Sequence, residues 1–236
     1  MTLTDLRTHI YADGAELDGM LAMYAKPYIK GFTTNPTLMR KAGITDYRAF
    51  AHQVLAAIPD RPISFEVFSD EVHEMERQAR DRDLGRAGLR QDPGDQHAPR
   101  ADLRPGAAPV GSGVKVNVTA LMTLDQVRAV TDALRGGAPA NISVFAGRIA
   151  DTGRDPVPHM RQALEIMTAA PNAALIWASP RELLNVFQAH EIGCHIITVT
   201  NDILKKLALV DKDLDDYSLE TVRMFHDDAR AAGYQF

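Results

Sequence analysis

Short β-rich runs of apolar residues alternate along the chain with longer segments in which apolar residues recur every three or four positions. This alternation is typical of a parallel sheet whose strands are joined by crossover helices. Seven strands are predicted, at 10–12, 28–34, 63–68, 114–121, 141–145, 174–178 and 195–199. The predicted helices are 17–24, 37–41, 46–57, 70–80, 124–134, 157–168, 201–208 and 218–232, and another begins at Ser179-Pro180.

The predicted strands are spaced roughly 20 to 30 residues apart everywhere except between 63–68 and 114–121. That gap has room for one more strand and helix, which would complete the eight repeats of a (β/α)8 barrel. A chain of 236 residues suits one such barrel or two small domains. The prediction is an α/β fold in which residues 1–236 form a single (β/α)8 TIM barrel whose fourth strand and helix are absent or irregular.

Residues 81–113 differ in kind from the rest of the chain. They hold six glycines, four prolines, five arginines and five aspartates, and they contain no Ile, Phe, Tyr, Trp, Met or Thr. A segment without apolar periodicity is not expected to form a buried barrel strand. It is either a low-order insertion or a sequence for which the fold was not built.

A change of reading frame would explain this segment. Residues 89–98 can be encoded by CTA CGT CAA GAT CCC GGT GAC CAA CAC GCG. The same string read one nucleotide later encodes Tyr-Val-Lys-Ile-Pro-Val-Thr-Asn-Thr, a β-rich run that ends in polar residues. The hypothesis is that two compensating frame errors replaced the fourth strand and its helix.

Overall charge and cysteine content narrow the class of protein. The net charge of −5 is mild and no long charged run occurs, which argues against binding to nucleic acid or to a membrane surface and favours small metabolites. Cys194 is the only cysteine, and its apolar surroundings fit a reduced core thiol better than a nucleophile. Residues 1–10 lack the apolar core of a signal peptide, so a cytoplasmic protein is expected.

Residues 30–38 have the pattern of a short strand, a polar tip and a helix. Pro36 suits the first turn of a helix, so Thr34 or Asn35 is the predicted N-cap. In parallel α/β proteins such tips face the common cleft where ligands bind. Helix capping alone explains this tip equally well, so only the recurrence of polar tips favours a site.

Polar side chains do recur at the ends of the other predicted strands. Asn117 and Thr119 share parity on their strand, which places polar groups inside the barrel. Glu66 is flanked by apolar residues, so burial should raise its pKa, and Asp13 is a candidate partner. The candidate positions are Asp13, Thr33, Thr34, Asn35, Glu66, Asn117, Thr119, Ser143, Arg148, Ser179 and Arg181.

Two arginines suggest a phosphate site. Arg148 and Arg181 are separated by one strand and one helix, so they could converge on one phosphate from adjacent loops. Ser179 would add a hydroxyl donor and backbone donors. Two independent surface arginines are the alternative.

Four motifs, taken in order, resemble those of the transaldolase family. They are Thr33-Thr34-Asn35-Pro36, Asn117-Val118-Thr119, Phe145-Ala146-Gly147-Arg148 and Ala178-Ser179-Pro180-Arg181. The resemblance implies a (β/α)8 barrel that holds a ketose fragment as a Schiff base on lysine, with neither a metal nor an organic cofactor. It implies transfer of a dihydroxyacetone unit between sugar phosphates, a reaction of the pentose phosphate pathway.

The resemblance also implies roles for individual residues. Asp13 and Glu66 would be the acid/base carboxylates, and Thr119 would position the catalytic water. Fructose-6-phosphate aldolases carry Gln and Tyr where this chain has Glu66 and Phe145, so the chain looks more like a transaldolase. The implied contacts to the sugar are Thr33, Asn35, Asn117, Ser143 and Phe145, and those to its phosphate are Arg148, Ser179 and Arg181.

One departure from the family pattern concerns the nucleophile. The family's lysine lies on the fourth strand in a Val-Lys-Ile-Pro-like motif, whereas this chain has Gln91-Asp92, across which the shifted frame places a lysine codon. Neither Gln nor Asp can form a Schiff base. Lys115 is the nearest substitute, but it lies toward the amino end of its strand. The chain as written is therefore expected to be inactive or impaired, and the alternative is a non-catalytic phosphosugar-binding barrel or a defective gene product. A homo-oligomer is left open.

Overall fold

Eight parallel strands form a closed barrel in the computed structural model, which describes residues 5–66, 88–93 and 115–234. Each strand pairs with the next along the chain, and β8 pairs with β1. The predicted (β/α)8 barrel is thus confirmed. The strands are β1 (His9–Asp13), β2 (Ile29–Thr33), β3 (Ile63–Glu66), β4 (Gly88–Pro93), β5 (Val116–Leu121), β6 (Ala140–Val144), β7 (Ala173–Trp177) and β8 (Ile196–Thr200).

Of the expectation that the fourth strand and helix are absent or irregular, the absence of the strand is wrong, and the irregularity of the unit stays a prediction. β4 pairs with β3 on one side and with β5 on the other, and its register places Gln91 level with Glu66 and with Asn117. A parallel ladder is made by backbone groups, so a segment without apolar periodicity can still pair when strands on both sides present unpaired donors and acceptors. The helix expected to follow β4 lies outside the described residues. So does the rest of the anomalous segment, at 81–87 and 94–113.

Five of the nine α-helices in the described residues begin at a residue whose side chain caps the helix. The Asn35 side chain accepts a hydrogen bond from the backbone N–H of Leu38, so Asn35 is the N-cap that was expected at Thr34 or Asn35. Thr123 and Gln126 form a reciprocal capping box. The helices are α1 (Leu17–Tyr24), α2 (Pro36–Lys41), α3 (Tyr47–Ala57), α4 (Leu124–Leu134), α5 (Ala146–Asp151), α6 (Pro156–Met167), α7 (Leu184–Glu191), α8 (Asn201–Lys205) and α9 (Leu214–Ala231).

Helices α5 and α7 differ most from the prediction, and α9 begins at Leu214 rather than at residue 218. The helix expected to begin at Ser179-Pro180 begins at Leu184, and Ser179 has a left-handed φ of 60°. The Asn185 side chain accepts hydrogen bonds from the backbone N–H groups of Arg181 and Glu182 instead. The short helix α5, which carries Arg148, was not predicted.

Apolar residues fill two separate regions. The larger cluster lies between the outer face of the barrel and its helices, and it includes the fully buried Trp177 and Phe32. A small cluster of Tyr11, Ile176, Ala178 and Ile196 packs together on inward-facing positions of adjacent strands. On the seven strands whose side chains the structure describes, β1–β3 and β5–β8, this apolar cluster is small, and several other inward-facing positions carry the polar side chains described below.

Cys194 and α9 represent opposite extremes of burial. Cys194 is buried, and burial raises the pKa of its thiol to about 12, which confirms a core thiol rather than a nucleophile.

Helix α9 buries none of its 18 residues, and Phe225 is 62% exposed. Among the described helices, none has the length and apolar character that crossing a membrane requires.

Gly31 is required by its contact with Tyr11. A Cβ at residue 31 would lie 2.6 Å from two carbons of the Tyr11 ring, and that ring is itself buried. Gly31→Ala should therefore lower the free energy of unfolding by about 1–3 kcal/mol, as measured by urea denaturation. Gly14→Ala is the control, because a Cβ there meets no atom within 4 Å. Equal stability of the two variants would contradict the close contact.

Candidate active site

The two carboxylates at the carboxyl ends of β1 and β3 have raised pKa values. Burial raises the pKa of Asp13 to about 6, although the hydrogen bond that Thr33 Oγ1 donates to Asp13 Oδ1 at 2.8 Å acts to lower it. The pKa of Glu66 rises to about 7, first through burial and then through the negative charge of Asp13. This direction agrees with the rise expected for Glu66, and Asp13 contributes to it through its charge. Carboxyl groups that titrate near neutrality suit proton transfer.

Thr33 connects this pair to the last strand. Its hydroxyl oxygen lies within hydrogen-bonding distance of Thr198 Oγ1 as well as of Asp13. Both threonines are buried. β1 lies between β2 and β8, so this contact ties the two neighbours of β1 together across its end. Thr33 therefore orients the Asp13 carboxylate in addition to any contact it makes with a ligand.

Asn117 forms a second polar cluster inside the barrel. Its Nδ2 donates to Ser64 Oγ at 3.2 Å, and its Oδ1 accepts from Ser143 Oγ at 2.8 Å. All three residues are buried. The inward direction expected for Asn117 from strand parity is confirmed. Since Ser64 lies on β3 and Asn117 on β5, this cluster reaches across the position of β4.

A basic group lies beyond the ends of β6 and β7. Arg181 Nη1 donates to Ser179 Oγ at 3.0 Å, and the Arg148 guanidinium lies 5.5 Å from the centre of the Phe145 ring. Arg181 also donates twice to Asp151, and the hydrogen bond and charge of Arg181 and the charge of Arg148 all lower the pKa of that carboxyl. The two arginines thus act on one carboxylate, and their convergence on a phosphate stays a prediction.

Backbone geometry brings Ser179 close to helix α5. A Cβ at Gly147 would lie 1.5 Å from the Ser179 carbonyl oxygen, so only glycine allows this approach. Ser179 itself has a left-handed φ of 60°, which is unfavourable for a residue with a side chain. Strained residues of this kind are found where a site dictates the conformation, and here the strain places the hydroxyl beside Arg181.

Three other predicted residues have more limited settings. The Asn35 side-chain oxygen is occupied as the N-cap of α2, which leaves its amide nitrogen for a ligand. Thr119 is buried near the end of β5, directly before Ala120, whose φ is 64°. Lys115 is exposed and precedes β5, at the opposite end of the strand from these groups.

Three residues at the site were missed by the sequence reasoning: Ser64, Thr198 and Asp151. Ser64 shares parity with Glu66, so the polar parity used for Asn117 would have found it. Thr198 alternates with the apolar residues of β8 in the same way. Asp151 follows Arg148 by one helical turn. The sequence reasoning did not predict α5, so it did not relate these two residues. The described ranges contain no group of three His, Cys, Asp or Glu side chains placed to hold a metal ion.

Comparison with known sequences identifies one family. Residues 10–82 and 110–235 match the profile described as "Transaldolase/Fructose-6-phosphate aldolase". A protein of Thermoanaerobacter sp. named "Probable transaldolase" is 32% identical over 227 residues, which cover 94% of this chain and 97% of that protein. Another of that name, from Desulforamulus reducens, is 30% identical over 91% of this chain and 97% of its own length.

Solved structures share the fold at low sequence identity. 2,3-Dimethylmalate lyase, a PEP mutase/isocitrate lyase superfamily member, matches with a TM-score of 0.54 at 17% identity, over 98% of this chain and 86% of that one. A HpcH/HpaI aldolase/citrate lyase family protein from Burkholderia cenocepacia matches with a TM-score of 0.53 at 16% identity, over 94% and 97%. These likenesses show the barrel fold alone.

The carboxyl pair should titrate near neutrality. In ¹³C-carboxyl NMR, Asp13 and Glu66 should titrate with apparent midpoints near 6 and 7, and Asp13→Asn should lower the Glu66 midpoint by removing the neighbouring negative charge. The exposed Asp125 on α4 provides the control, since Asp125→Asn should leave Glu66 unchanged. A Glu66 midpoint near 4.5 in the folded protein would contradict the buried pair.

The raised pKa values of Asp13 and Glu66 also determine how the free energy of unfolding depends on pH. Both folded-state pKa values lie above the usual 3.8 and 4.5, so the folded state binds more protons than the unfolded state. The contribution of the pair to stability is present below about pH 4 and is lost as the pH rises through about 6 to 7. The urea midpoint of the unmodified protein should therefore decline between about pH 4 and about pH 7. This decline should be smaller in Glu66→Gln.

Proposed function

Because the chain belongs to the transaldolase/fructose-6-phosphate aldolase family, we propose that it carries the sugar-phosphate site of a transaldolase but lacks the lysine needed for the Schiff base. The observation that carries this proposal is the register of β4, which sets Gln91 level with Glu66 and Asn117. This register supports Gln91, which has no nucleophilic amine, as the residue at the strand position where the family resemblance expects the lysine.

The residues around this position have the chemistry that the reaction needs. In the transfer of a dihydroxyacetone unit, a lysine amine adds to the ketose carbonyl with loss of water, and the iminium accepts the electron pair when the carbon–carbon bond breaks. Asp13 and Glu66, with pKa values near 6 and 7, would move the protons, and Thr119 would position the catalytic water. Without the amine, the electron pair has no acceptor.

Substrate binding does not need the lysine. Arg148, Arg181 and Ser179 would hold the phosphate, while Thr33, Asn35, Asn117, Ser143 and Phe145 would contact the sugar. Both arginines act electrostatically on Asp151, which supports a single dianion as their shared ligand. The second candidate function is therefore a barrel that binds a phosphosugar without catalysis. The presence of Gln91 where a lysine is expected favours it. The pentose phosphate pathway and the cytoplasm stay predictions.

A change of reading frame remains our explanation for the missing lysine. The family profile matches the chain on both sides of 83–109 but not within it. In the shifted frame of residues 89–98, the lysine codon overlaps the codon of Gln91 and the proline codon overlaps that of Pro93. The two readings therefore keep the same length and register. Resequencing the gene against close relatives tests this, and the absence of a length-neutral frame change would refute it.

Borohydride trapping tests the proposal. The protein as written, incubated with fructose 6-phosphate and reduced, should give no covalent adduct by intact mass, whereas Gln91→Lys should give one that peptide mapping places at residue 91. A second variant, carrying the shifted-frame sequence over 89–97, should be trapped more completely. NMR titration of the unmodified chain with fructose 6-phosphate separately measures binding.

The controls separate the alternatives. Lys115→Arg should change none of these results, since Lys115 lies at the far end of β5. An adduct on Lys115 in the unmodified chain would show that the chain is catalytic as written. Absence of an adduct from both variants, when folded and binding fructose 6-phosphate, would refute residue 91 as the position of the nucleophile.

Helix α9 supports the proposal of a homo-oligomer. Its large apolar side chains are exposed, and a helix with an apolar face is stabilised by covering that face. We expect copies of the chain to bury it mutually. The exposed residues are Leu214, Tyr217, Leu219, Val222, Met224 and Phe225.

Light scattering after size exclusion checks this expectation. The double variant Val222→Ser and Phe225→Ser should dissociate at concentrations about tenfold or more above those at which the unmodified oligomer dissociates. Leu184→Ser is a matched control, because Leu184 is 54% exposed but lies on α7. A monomeric unmodified protein at micromolar concentration would contradict the proposal.

A further inference from the structure

Asp151 makes the strongest polar contacts in the basic group, although neither the sequence motifs nor the family resemblance assigns it a role. Its Oδ1 accepts from Arg181 Nε at 2.8 Å and its Oδ2 accepts from Arg181 Nη2 at 2.5 Å. This is the paired geometry in which a planar guanidinium and a carboxylate fit best. Among the contacts described for these residues, the third nitrogen, Nη1, donates to Ser179.

We propose that Asp151 is a positioning residue, which holds the Arg181 guanidinium in the orientation that receives the phosphate of the ligand. The proposal rests on the sugar-phosphate site proposed above. A guanidinium has five N–H donors, of which Asp151 and Ser179 use three. One N–H on Nη1 and one on Nη2 are left for a phosphate, beside the Ser179 hydroxyl.

Arg181 benefits from such a contact because its side chain is long and partly exposed. Its backbone N–H donates to Asn185 Oδ1 at 2.8 Å, whereas its side chain is 45% exposed. A long exposed arginine loses considerable rotamer freedom when it binds a ligand. Fixing the guanidinium in advance removes part of that cost from the binding step.

Helix α5 makes the arrangement a single unit. It carries Arg148 and, one turn later, Asp151, so the helix that supplies one arginine also orients the other. The close approach of Gly147 to the Ser179 carbonyl holds the same helix against the loop that bears Ser179 and Arg181. A displacement of α5 would therefore disturb all three phosphate-binding side chains together.

The charge of Asp151 has the opposite effect, because it repels a phosphate dianion. That repulsion is weakened by solvent, since the side chains of Asp151 and Arg181 are 52% and 45% exposed. The two hydrogen bonds to Asp151 also restrict rotation of the Arg181 side chain, and solvent does not weaken that restriction in the same way. We therefore expect orientation to outweigh repulsion.

Phosphate binding by the full chain, as written, tests the proposal. Asp151→Asn should weaken the affinity for fructose 6-phosphate by about three- to fivefold and leave that for fructose unchanged, as measured by NMR titration. Asp151→Glu keeps the carboxylate and should recover part of the loss. The Arg181 Nε–H resonance, protected from solvent exchange in the unmodified protein, should lose its protection in Asp151→Asn.

Asp132→Asn is the matched control, because Asp132 also pairs with an exposed arginine but lies on α4. Equal affinity of Asp151→Asn and the unmodified protein for fructose 6-phosphate would overturn the positioning role while leaving the proposed function intact. Tighter binding would overturn it in favour of net repulsion. If the folded, unmodified chain binds neither fructose 6-phosphate nor inorganic phosphate, the proposed function and the positioning role both fail.

Discussion

Closure of the barrel is the constraint on which the rest of the site depends. Each parallel strand must pair on both edges, and pairing fixes the register that brings side chains from distant parts of the chain into one interior. The contact of Ser64 with Asn117 exists only because β3 and β5 flank β4 at the observed register. The contact of Thr33 with Thr198 likewise needs β8 to return to β1.

Two regions of opposite chemistry result from this closure. On β1 and β3, burial makes Asp13 and Glu66 hold protons more tightly than carboxyl groups in water do. Beyond β6 and β7, two arginines share one carboxylate at a partly exposed position. Under the proposed function, proton transfer and phosphate binding would have separate places, and Ser179, whose backbone has a left-handed φ, lies in the second.

Fold and chemistry depend differently on residue 91. The strand ladder is made by backbone groups, so β4 pairs with its neighbours although its sequence lacks the expected lysine. Covalent catalysis depends on one side chain, and no neighbouring carboxylate or arginine can replace an amine as the electron acceptor. Under the proposed function, this chain keeps its barrel and its binding groups and loses its reaction.

Seven of the eight strands and an N-cap at Thr34 or Asn35 followed from the sequence, because hydrophobic periodicity and capping are local properties. The raised pKa of Glu66 also followed, since flanking apolar residues signal burial. The sequence did not predict β4, because its pairing is determined by strands on either side and not by its own pattern. The Arg181–Asp151 pair joins residues 30 positions apart through a left-handed Ser179 and an unpredicted helix. Only the tertiary structure decided such contacts, because they depend on how separate segments approach one another in space.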